Sequence, residues 1–365
     1  MRFFKESPLA AVKQDNKDLK NGQETKPLAK RGIFDPSIIE HRERLAAAKP
    51  LGTPADVPHI DTVVPLASNV KMPARIYFPK AQSEKATPLP TLFYIPGTAF
   101  IANEVQFTRV ICSHICKIAN CRVVVIQHRL APENQFPNGL NDAYDMFKFF
   151  LENKTLLVDR ERVAIAGYSS GGNFAAQMAL WAKRDKLPIS KQILISPMVD
   201  LSRSCTEYKE FENKDGTISE QFVNFFLNLY LPEDVNPQDP TISPLYHKAS
   251  ELRGLPPTDI IQADYDRFRS DAEAYYKKLQ EAQVLVQQET VDNADHSYLW
   301  YKLEVVESIA KRLIMCFAPL RMYIEPKQHY LLHIRPMFNS KQLRHDDIVE
   351  TTKTKSEMEL ARAKL

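Results

Sequence analysis

The sequence predicts an α/β protein with a mostly parallel, doubly wound sheet of eight strands. Apolar, β-branched runs alternate with longer helical patterns along most of the chain. The run 123–126, Val-Val-Val-Ile, is apolar at every position, which is typical of a strand covered by helices on both faces. A regular alternation of strands and helices favours the doubly wound arrangement.

The predicted elements follow one another without an internal repeat. Each strand candidate is short, apolar and rich in β-branched residues. The strand candidates are 60–66, 74–78, 91–95, 122–127, 163–166, 192–196, 259–262 and 284–290. Helical patterns between them lie at 102–119, 138–153, 171–185 and 270–282.

Two segments depart from this rhythm and predict a helical cap over the sheet edge. Residues 37–48 predict a short helix, because Ser37 can cap the run and Pro50 ends it. Residues 201–236 contain a polar loop and then a helix, 219–231, dense in Phe and Tyr. This segment is too long for a simple connection.

The same patterns predict the domain organisation. One domain spans 33–317, with cap elements from 33–55 and 201–236. Residues 1–32 are polar with few aromatics, so we expect a flexible tail. Residues 318–365 form a C-terminal extension whose charged end we expect to be flexible.

Composition argues against several classes of function. Of the 365 residues, 44% are apolar and 25% are charged, with a net charge of +3. This near balance argues against a nucleic-acid partner, since phosphate binding needs a concentrated basic surface. The five irregularly spaced cysteines match neither a disulfide framework nor a zinc pattern. With no Sec signal and no apolar run of membrane length, we expect a cytoplasmic protein without an integral membrane segment.

A glycine cluster at 167–172, Gly-Tyr-Ser-Ser-Gly-Gly, holds three of the ten glycines in the chain. It contains the Gly-x-Ser-x-Gly pattern, follows the strand candidate 163–166 and precedes a helix. This context is typical of a nucleophile elbow, in which Ser169 sits on a strained turn between small neighbours. An ordinary glycine-rich turn is the alternative.

A serine hydroxyl needs a base, and the base needs an orienting carboxylate. In proteins with this elbow the chain order is serine, acid, histidine. Five histidines follow Ser169, and His296 lies just beyond the last strand candidate, where a loop can bring it over the elbow. Asp264 and Asp266 both lie at the end of the preceding strand, and this reasoning does not choose between them.

These motifs resemble the hormone-sensitive-lipase-like branch of the α/β-hydrolases, which includes bacterial carboxylesterases and arylacetamide deacetylase-like enzymes. The resemblance covers roughly residues 60–315 and follows one motif order. It rests on Tyr-Ile-Pro-Gly-Thr-Ala-Phe at 94–100 in place of His-Gly-Gly-Gly-Phe, Arg-Leu-Ala-Pro-Glu at 129–133, the elbow at 167–172, Asp-Arg-Phe-Arg at 266–269 for Asp-Pro-Leu-Arg, and His-Ser-Tyr at 296–298 for His-Gly-Phe.

The resemblance implies an α/β-hydrolase fold and a serine carboxylesterase acting on small to medium acyl esters. It implies Ser169, Asp266 and His296 as the catalytic triad, and so favours Asp266 over Asp264. It also implies an acyl-enzyme intermediate and no cofactor. No metal is expected either, because the sequence has no metallohydrolase motif.

The family's oxyanion loop is altered in this chain. Only Gly97 of the three glycines is present. We expect backbone N–H groups of Thr98, Ala99 and Ser170 to form the oxyanion hole, since backbone donors do not depend on the side chain. The second departure is Tyr168, which replaces the family's Asp beside the serine.

Aromatic residues are the candidates for the substrate pocket. These are Phe100, Tyr168, Phe222, Phe225 and Phe226, and a plain core role fits the three in the cap equally well. The expected partner is a small-molecule ester, and a homodimer is compatible with the sequence. Two other functions stay open. One is a non-catalytic ligand-binding module, suggested by the altered loop, and the other is an amidase or deacetylase using the same triad.

Overall fold

The computed structural model describes residues 36–47, 52–80, 87–97, 99–103, 105–205 and 218–318. The predicted N-terminal tail lies outside these residues, and so does the predicted C-terminal extension from residue 319 onward.

The strands within the described residues build one sheet. They are β1 (His59–Pro65), β2 (Lys71–Tyr77), β3 (Leu89–Ile95), β4 (Arg122–Val125), β5 (Val158–Tyr168), β6 (Lys191–Ile195), β7 (Thr258–Tyr265) and β8 (Val286–Asp295). The strand order is β1-β2-β4-β3-β5-β6-β7-β8. Only β2 runs antiparallel to its neighbours, β1 and β4. The predicted mostly parallel, eight-stranded sheet is confirmed.

Helices cover both faces of the sheet. They are α1 (Pro36–Ala47), α2 (Val105–Ala119), α3 (Asn138–Glu152), α4 (Ser170–Arg184), α5 (Glu220–Tyr230), α6 (Ala249–Leu252), α7 (Arg269–Glu281) and α8 (Leu303–Phe317). One core packs α2 and α8 against the sheet, and a second core packs α3, α4 and α7 against the opposite face. This is the predicted doubly wound arrangement. Within the described ranges, no helix combines the length and apolarity needed to cross a membrane.

Burial follows directly from this two-sided cover. Every residue of β3 and β4 is buried. Along β5 the side chains alternate between the two cores, with Val163 and Ile165 on the α3–α4 side and Ala164 and Ala166 on the α2–α8 side. Such alternation is the geometry of a strand, in which successive side chains point to opposite faces.

The sheet topology decides where function can lie. β5, β7 and β8 are parallel to one another, so their carboxyl ends meet at one edge. The serine turn follows β5, the Asp-Arg-Phe-Arg segment follows β7, and His296 follows β8. Ligands of open α/β sheets bind at this edge of the strands.

Two helices from the predicted cap segments contact each other. Ser219 caps the start of α5 by accepting a hydrogen bond from the backbone N of Phe222 at 3.2 Å. The ring of Phe222 lies 4.8 Å from the ring of His41 in α1. Burial lowers the pKa of His41 to about 4, and the charges of Arg44 and Arg42 contribute in the same direction. His41 is therefore neutral at pH 7 and packs as an aromatic ring.

Candidate active site

Ser169 lies in the sharp turn between the end of β5 and the start of α4. Its backbone angles are φ 55° and ψ −119°, a conformation that residues with a side chain rarely adopt. Its backbone N donates to the carbonyl oxygen of Ile195 at 2.9 Å. Such strain persists only where the surrounding structure holds it, and it is concentrated at functional sites.

The glycines of this turn are required by close backbone contacts. A Cβ on Gly167 would lie 2.0 Å from the carbonyl oxygen of Gly171, and a Cβ on Gly171 would lie 2.3 Å from the carbonyl oxygen of Ile95. A Cβ on Gly172 would lie 2.8 Å from Cβ of Pro197. The glycine cluster therefore lets α4 start directly against the ends of β3 and β6.

Hydrogen bonds join Ser169, His296 and Asp266 in a relay. Nε2 of His296 lies 2.9 Å from Oγ of Ser169, and Nδ1 lies 2.8 Å from Oδ2 of Asp266. A carboxylate can only accept a hydrogen bond, so Nδ1 carries a proton and Nε2 is the acceptor for the serine hydroxyl. The three side chains belong to buried residues, which are 6%, 4% and 0% exposed in the order named. This arrangement can remove the proton from Oγ and so activate the serine.

Asp266, and not Asp264, faces the histidine. The second oxygen of Asp266, Oδ1, accepts a hydrogen bond from the backbone N of Phe268 at 2.9 Å, which fixes the orientation of the carboxylate. Asp264 instead pairs with Arg269 at 3.2 Å, and its side chain is 32% exposed. The strand pattern does not show which of the two acids orients the histidine, but their contacts do.

Two aromatic rings hold the imidazole of His296. The ring of Tyr168 stacks on it at 5.3 Å between centroids, and the ring of Phe268 meets it edge-on at 5.2 Å. The hydroxyl of Tyr168 also donates to the backbone carbonyl oxygen of His296. Tyr168 is also one of the predicted pocket residues. The residue is 1% exposed and packs against the histidine on the α2–α8 side of the sheet.

We expect Tyr168→Phe to lower kcat about fivefold and to leave KM nearly unchanged. The ring can still stack on His296, but the buried carbonyl oxygen of His296 loses its donor. A net hydrogen bond contributes about 1 kcal/mol, which corresponds to about fivefold in rate. The check is kcat and KM for p-nitrophenyl butyrate, with Tm as the folding control. An unchanged kcat would show that this hydroxyl does not position the histidine.

The loop after β3 passes close to the serine turn. A Cβ on Gly97 would lie 3.0 Å from Cβ of Ser169 and 2.8 Å from the carbonyl oxygen of Tyr168. Glycine at this position therefore allows the two backbones to approach. The loop that the resemblance assigns to the oxyanion hole thus adjoins the candidate nucleophile.

The predicted oxyanion donors lie on two segments. Ser170 is the first residue of α4 and directly follows Ser169. Ala99 lies in the loop after β3, where Ala99 and Phe100 have positive φ angles of 49° and 63°. Thr98, the third predicted donor, lies outside the described residues.

Two further predicted pocket residues belong to the core. Phe100 is 1% exposed, and its ring stacks on that of Tyr230 at 3.8 Å between centroids. Phe226 is also 1% exposed. Both rings lie in the core that packs α5 onto the body of the domain, which is the alternative role that the sequence left open for Phe226. Phe222 and Phe225 are half-buried and keep accessible apolar surface on α5.

A small apolar cavity of about 70 Å³ lies between α2 and the start of α8. Trp300, in its wall, stacks on Phe107 at 4.3 Å and meets the ring of Tyr168 edge-on at 6.4 Å. Trp300 is not among the residues predicted from the sequence. The signal that could have found it is its position four residues after His296, as one of only two tryptophans in the chain. The lining residues are Gly52, Phe107, Val110, Ile111, Leu299, Trp300, Tyr301, Leu303 and Val306.

Among the described residues, Asp200, Cys205 and Asp271 have ligand atoms within 4.8 Å of one another and could hold a metal ion. Ser202 and Ser204 already donate four hydrogen bonds to the two carboxylate oxygens of Asp200. Burial, and then the charge of Asp200, raise the pKa of Asp271 well above its usual value. Burial and the neighbouring Asp200 thus favour the neutral form of Asp271, while both oxygens of Asp200 are already occupied by hydrogen bonds.

Comparisons with known proteins show which family the chain is similar to. A sequence model of the alpha/beta hydrolase fold family matches residues 92–300. An arylesterase of Saccharolobus solfataricus is 28% identical over 233 residues, which cover 63% of this chain and 73% of the relative. An ethyl acetate hydrolase of Pseudomonas putida is 26% identical over 257 residues, which cover 69% of this chain and 79% of the relative.

Solved structures are similar over a larger share of the chain. The structure of a thermostable carboxylesterase cloned from a metagenomic library aligns with a TM-score of 0.70 and 27% identity. The alignment covers 81% of this chain and 99% of that one.

Proposed function

Since this chain belongs to the alpha/beta hydrolase fold family and is a carboxylic ester hydrolase, we propose that it cleaves small to medium acyl esters through Ser169, His296 and Asp266. The observation that carries this proposal is the buried relay, with hydrogen bonds of 2.9 Å and 2.8 Å. A strained serine, a histidine and a carboxylate in this order are the arrangement that nucleophilic acyl transfer needs.

Ser169 is the proposed nucleophile, and His296 is the proposed general base. As Oγ of Ser169 attacks the ester carbonyl carbon, its proton passes to Nε2 of His296, and Asp266 stabilises the resulting imidazolium. The imidazolium then protonates the leaving alcohol while the C–O bond breaks, which leaves the acyl group on Ser169. His296 then takes a proton from a water molecule, which attacks the carbonyl carbon of this acyl-enzyme. The bond from that carbon to Oγ breaks, the imidazolium returns the proton to Ser169, and the carboxylic acid leaves.

The negative charge of the tetrahedral intermediate needs preorganised donors. We assign this role to the backbone N–H groups of Ser170, Ala99 and Thr98. Two observations support the assignment: Ser170 directly follows the nucleophile, and Gly97 brings the loop after β3 against Ser169.

The proposed acyl range rests on the surface of α5. Phe222 and Phe225 offer half-buried apolar surface, whereas Phe100 and Phe226 fill the space beneath the helix with buried rings. An apolar surface favours an acyl chain over a charged substituent. The filled space beneath the helix favours a short chain over a long one.

Amide hydrolysis and deacetylation can use the same relay, but the names of the relatives favour the ester. A non-catalytic binding module has less support. Ligand binding alone does not require a histidine placed between a serine hydroxyl and a buried carboxylate.

The proposal is tested with p-nitrophenyl esters from acetate to laurate, together with p-nitroacetanilide, on the full chain. We expect kcat/KM to be highest between acetate and hexanoate, to fall for laurate, and to be far lower for the anilide. Preference for laurate would contradict the proposed acyl range. Turnover of the anilide without turnover of any ester would favour the amidase.

A further inference from the structure

Arg42 on α1 reaches out of the predicted cap segment and binds two loops of the domain body. Its Nε donates to the carbonyl oxygen of Ile101 at 2.7 Å, and its Nη2 donates to the carbonyl oxygen of Ala131 at 2.9 Å. Its Nη1 and Nη2 also pair with the two carboxylate oxygens of Glu133 at 2.7 and 2.8 Å. One guanidinium therefore makes four hydrogen bonds, and the planar fork of arginine suits this bidentate geometry.

The two loops that Arg42 joins are already bonded to each other. The backbone N of Ala131 donates to the carbonyl oxygen of Phe100 at 3.0 Å. Arg42 binds the next carbonyl along the first loop, that of Ile101, and the carbonyl of Ala131 itself. These three hydrogen bonds, one between the loops and two from Arg42, fix the backbone of the loop after β3 just beyond the part that lies against the serine turn.

This loop needs such support because its backbone is strained. Ala99 and Phe100 both have positive φ angles, and neither is a glycine. A residue with a side chain is strained in this region and stays there only when its surroundings hold it. The ring of Phe100 is held by Tyr230, and the backbone that follows is held by Arg42.

We infer that Arg42 is a positioning residue for the esterase reaction, which fixes the Ile101 carbonyl and thereby aims the Ala99 amide at the oxyanion. The inference rests on the proposed function, since it presumes that this loop stabilises the transition state. Arg42 touches no reacting atom, so its effect is on geometry. The hydrogen bond from Arg42 lowers the pKa of Glu133 below its usual value. The negative form of this carboxylate is therefore favoured beside the positive guanidinium.

Arg44 is a matched control on the same helix. Its side chain is 54% exposed and pairs with Glu40 at 3.9 Å. We expect Arg42→Ala to lower kcat by about 10- to 100-fold, a part of the roughly 10²- to 10³-fold loss seen when an oxyanion donor is removed. KM should stay within about twofold, because the loop contributes to the transition state more than to substrate binding. Arg44→Ala should match the wild type.

A second readout separates positioning from a loss of stability. We expect the affinity of Arg42→Ala for a trifluoromethyl ketone, which forms a tetrahedral adduct with the serine, to fall by the same factor as kcat/KM. Arg42→Lys keeps the positive charge beside Glu133 but lacks the fork that reaches both carbonyls, so it should lose kcat nearly as far as Arg42→Ala. Millimolar ethylguanidinium should restore part of the activity of Arg42→Ala.

Glu133→Gln completes the set. It leaves the bonds from Arg42 to both carbonyls in place, so we expect a lower Tm and a kcat within about threefold of the wild type. The inference is overturned if folded Arg42→Ala and Arg42→Lys keep the wild-type kcat, or if Arg42 variants change KM alone. A wild type that hydrolyses no ester would overturn the proposed function instead, so the two failures are distinguishable.

Discussion

Asp266→Asn is expected to lower kcat by about 10⁴-fold, as removal of the orienting carboxylate does in a well-studied serine triad. The carboxylate of Asp266 accepts from Nδ1 of His296 at 2.8 Å. An asparagine amide can present an N–H group to Nδ1 and stabilise the other tautomer, whose protonated Nε2 cannot accept the serine proton.

Asp264→Asn is the matched control for this variant. It makes the same chemical change two residues away, at a carboxylate that pairs with Arg269 and is partly exposed. We expect its kcat to stay within about threefold of the wild type, since an exposed ion pair contributes little. The measurement is kcat for p-nitrophenyl butyrate on both folded variants. A larger loss in Asp264→Asn would contradict the assignment of the acid.

The second large effect is expected at Ala99, where proline and glycine act in opposite ways. Ala99→Pro removes the N–H group assigned to the oxyanion and requires a φ near −65°, whereas the residue has a φ of 49°. We expect kcat to fall by about 10²-fold or more, the loss that follows removal of an oxyanion donor.

Ala99→Gly tests the same position without that loss. Glycine keeps the N–H group and adopts a positive φ without steric cost. We therefore expect a kcat equal to or above that of the wild type and a broader acceptance of bulky acyl groups. Both variants are compared on acetyl and hexanoyl esters, with Tm recorded for each. If Ala99→Pro folds and turns over like the wild type, this loop does not form the oxyanion hole.

The sheet could be predicted because each strand carries its own local signal. The strands buried on both faces, β3 and β4, are mostly apolar, and the serine turn is marked by glycines that its packing requires. Helix α8 was accessible to the same reasoning but was missed. Its buried residues recur at helical spacing, at Val305, Val306, Ile309, Ala310 and Leu313. This helix follows the last strand, whereas all the predicted helices between 102 and 282 lie between two strands.

The alternation of side chains along β5 also predicts which face of the sheet Tyr168 lies on. Ala164, Ala166 and Tyr168 share one face of β5, and that face packs against α2 and α8. This parity places the ring of Tyr168 on the α2–α8 side of the sheet, where it stacks on His296. Phe100 is a different case, because its direction depends on the positive φ angles of the loop, which no alternation pattern predicts.

The choice between Asp264 and Asp266 could not come from alternation, because residues two apart share a face. The structure resolves it through an irregular register between Ala263 and Tyr265, at the end of the pairing of β7 with β8. An irregularity of this kind re-aims the side chains that follow it. Only the resemblance to a known family favoured Asp266 before the geometry was available.

The central claim is that Ser169 is the nucleophile, and covalent labelling tests it most directly. The full chain is treated with a fluorophosphonate at neutral pH, and the modified peptide is identified by mass spectrometry. Ser250→Ala, a change at an exposed serine on α6, is the control and should label like the wild type. The account predicts one adduct on Ser169 in the wild type and none in Ser169→Ala. Equal labelling of the wild type and Ser169→Ala, or an adduct on another residue, would contradict it.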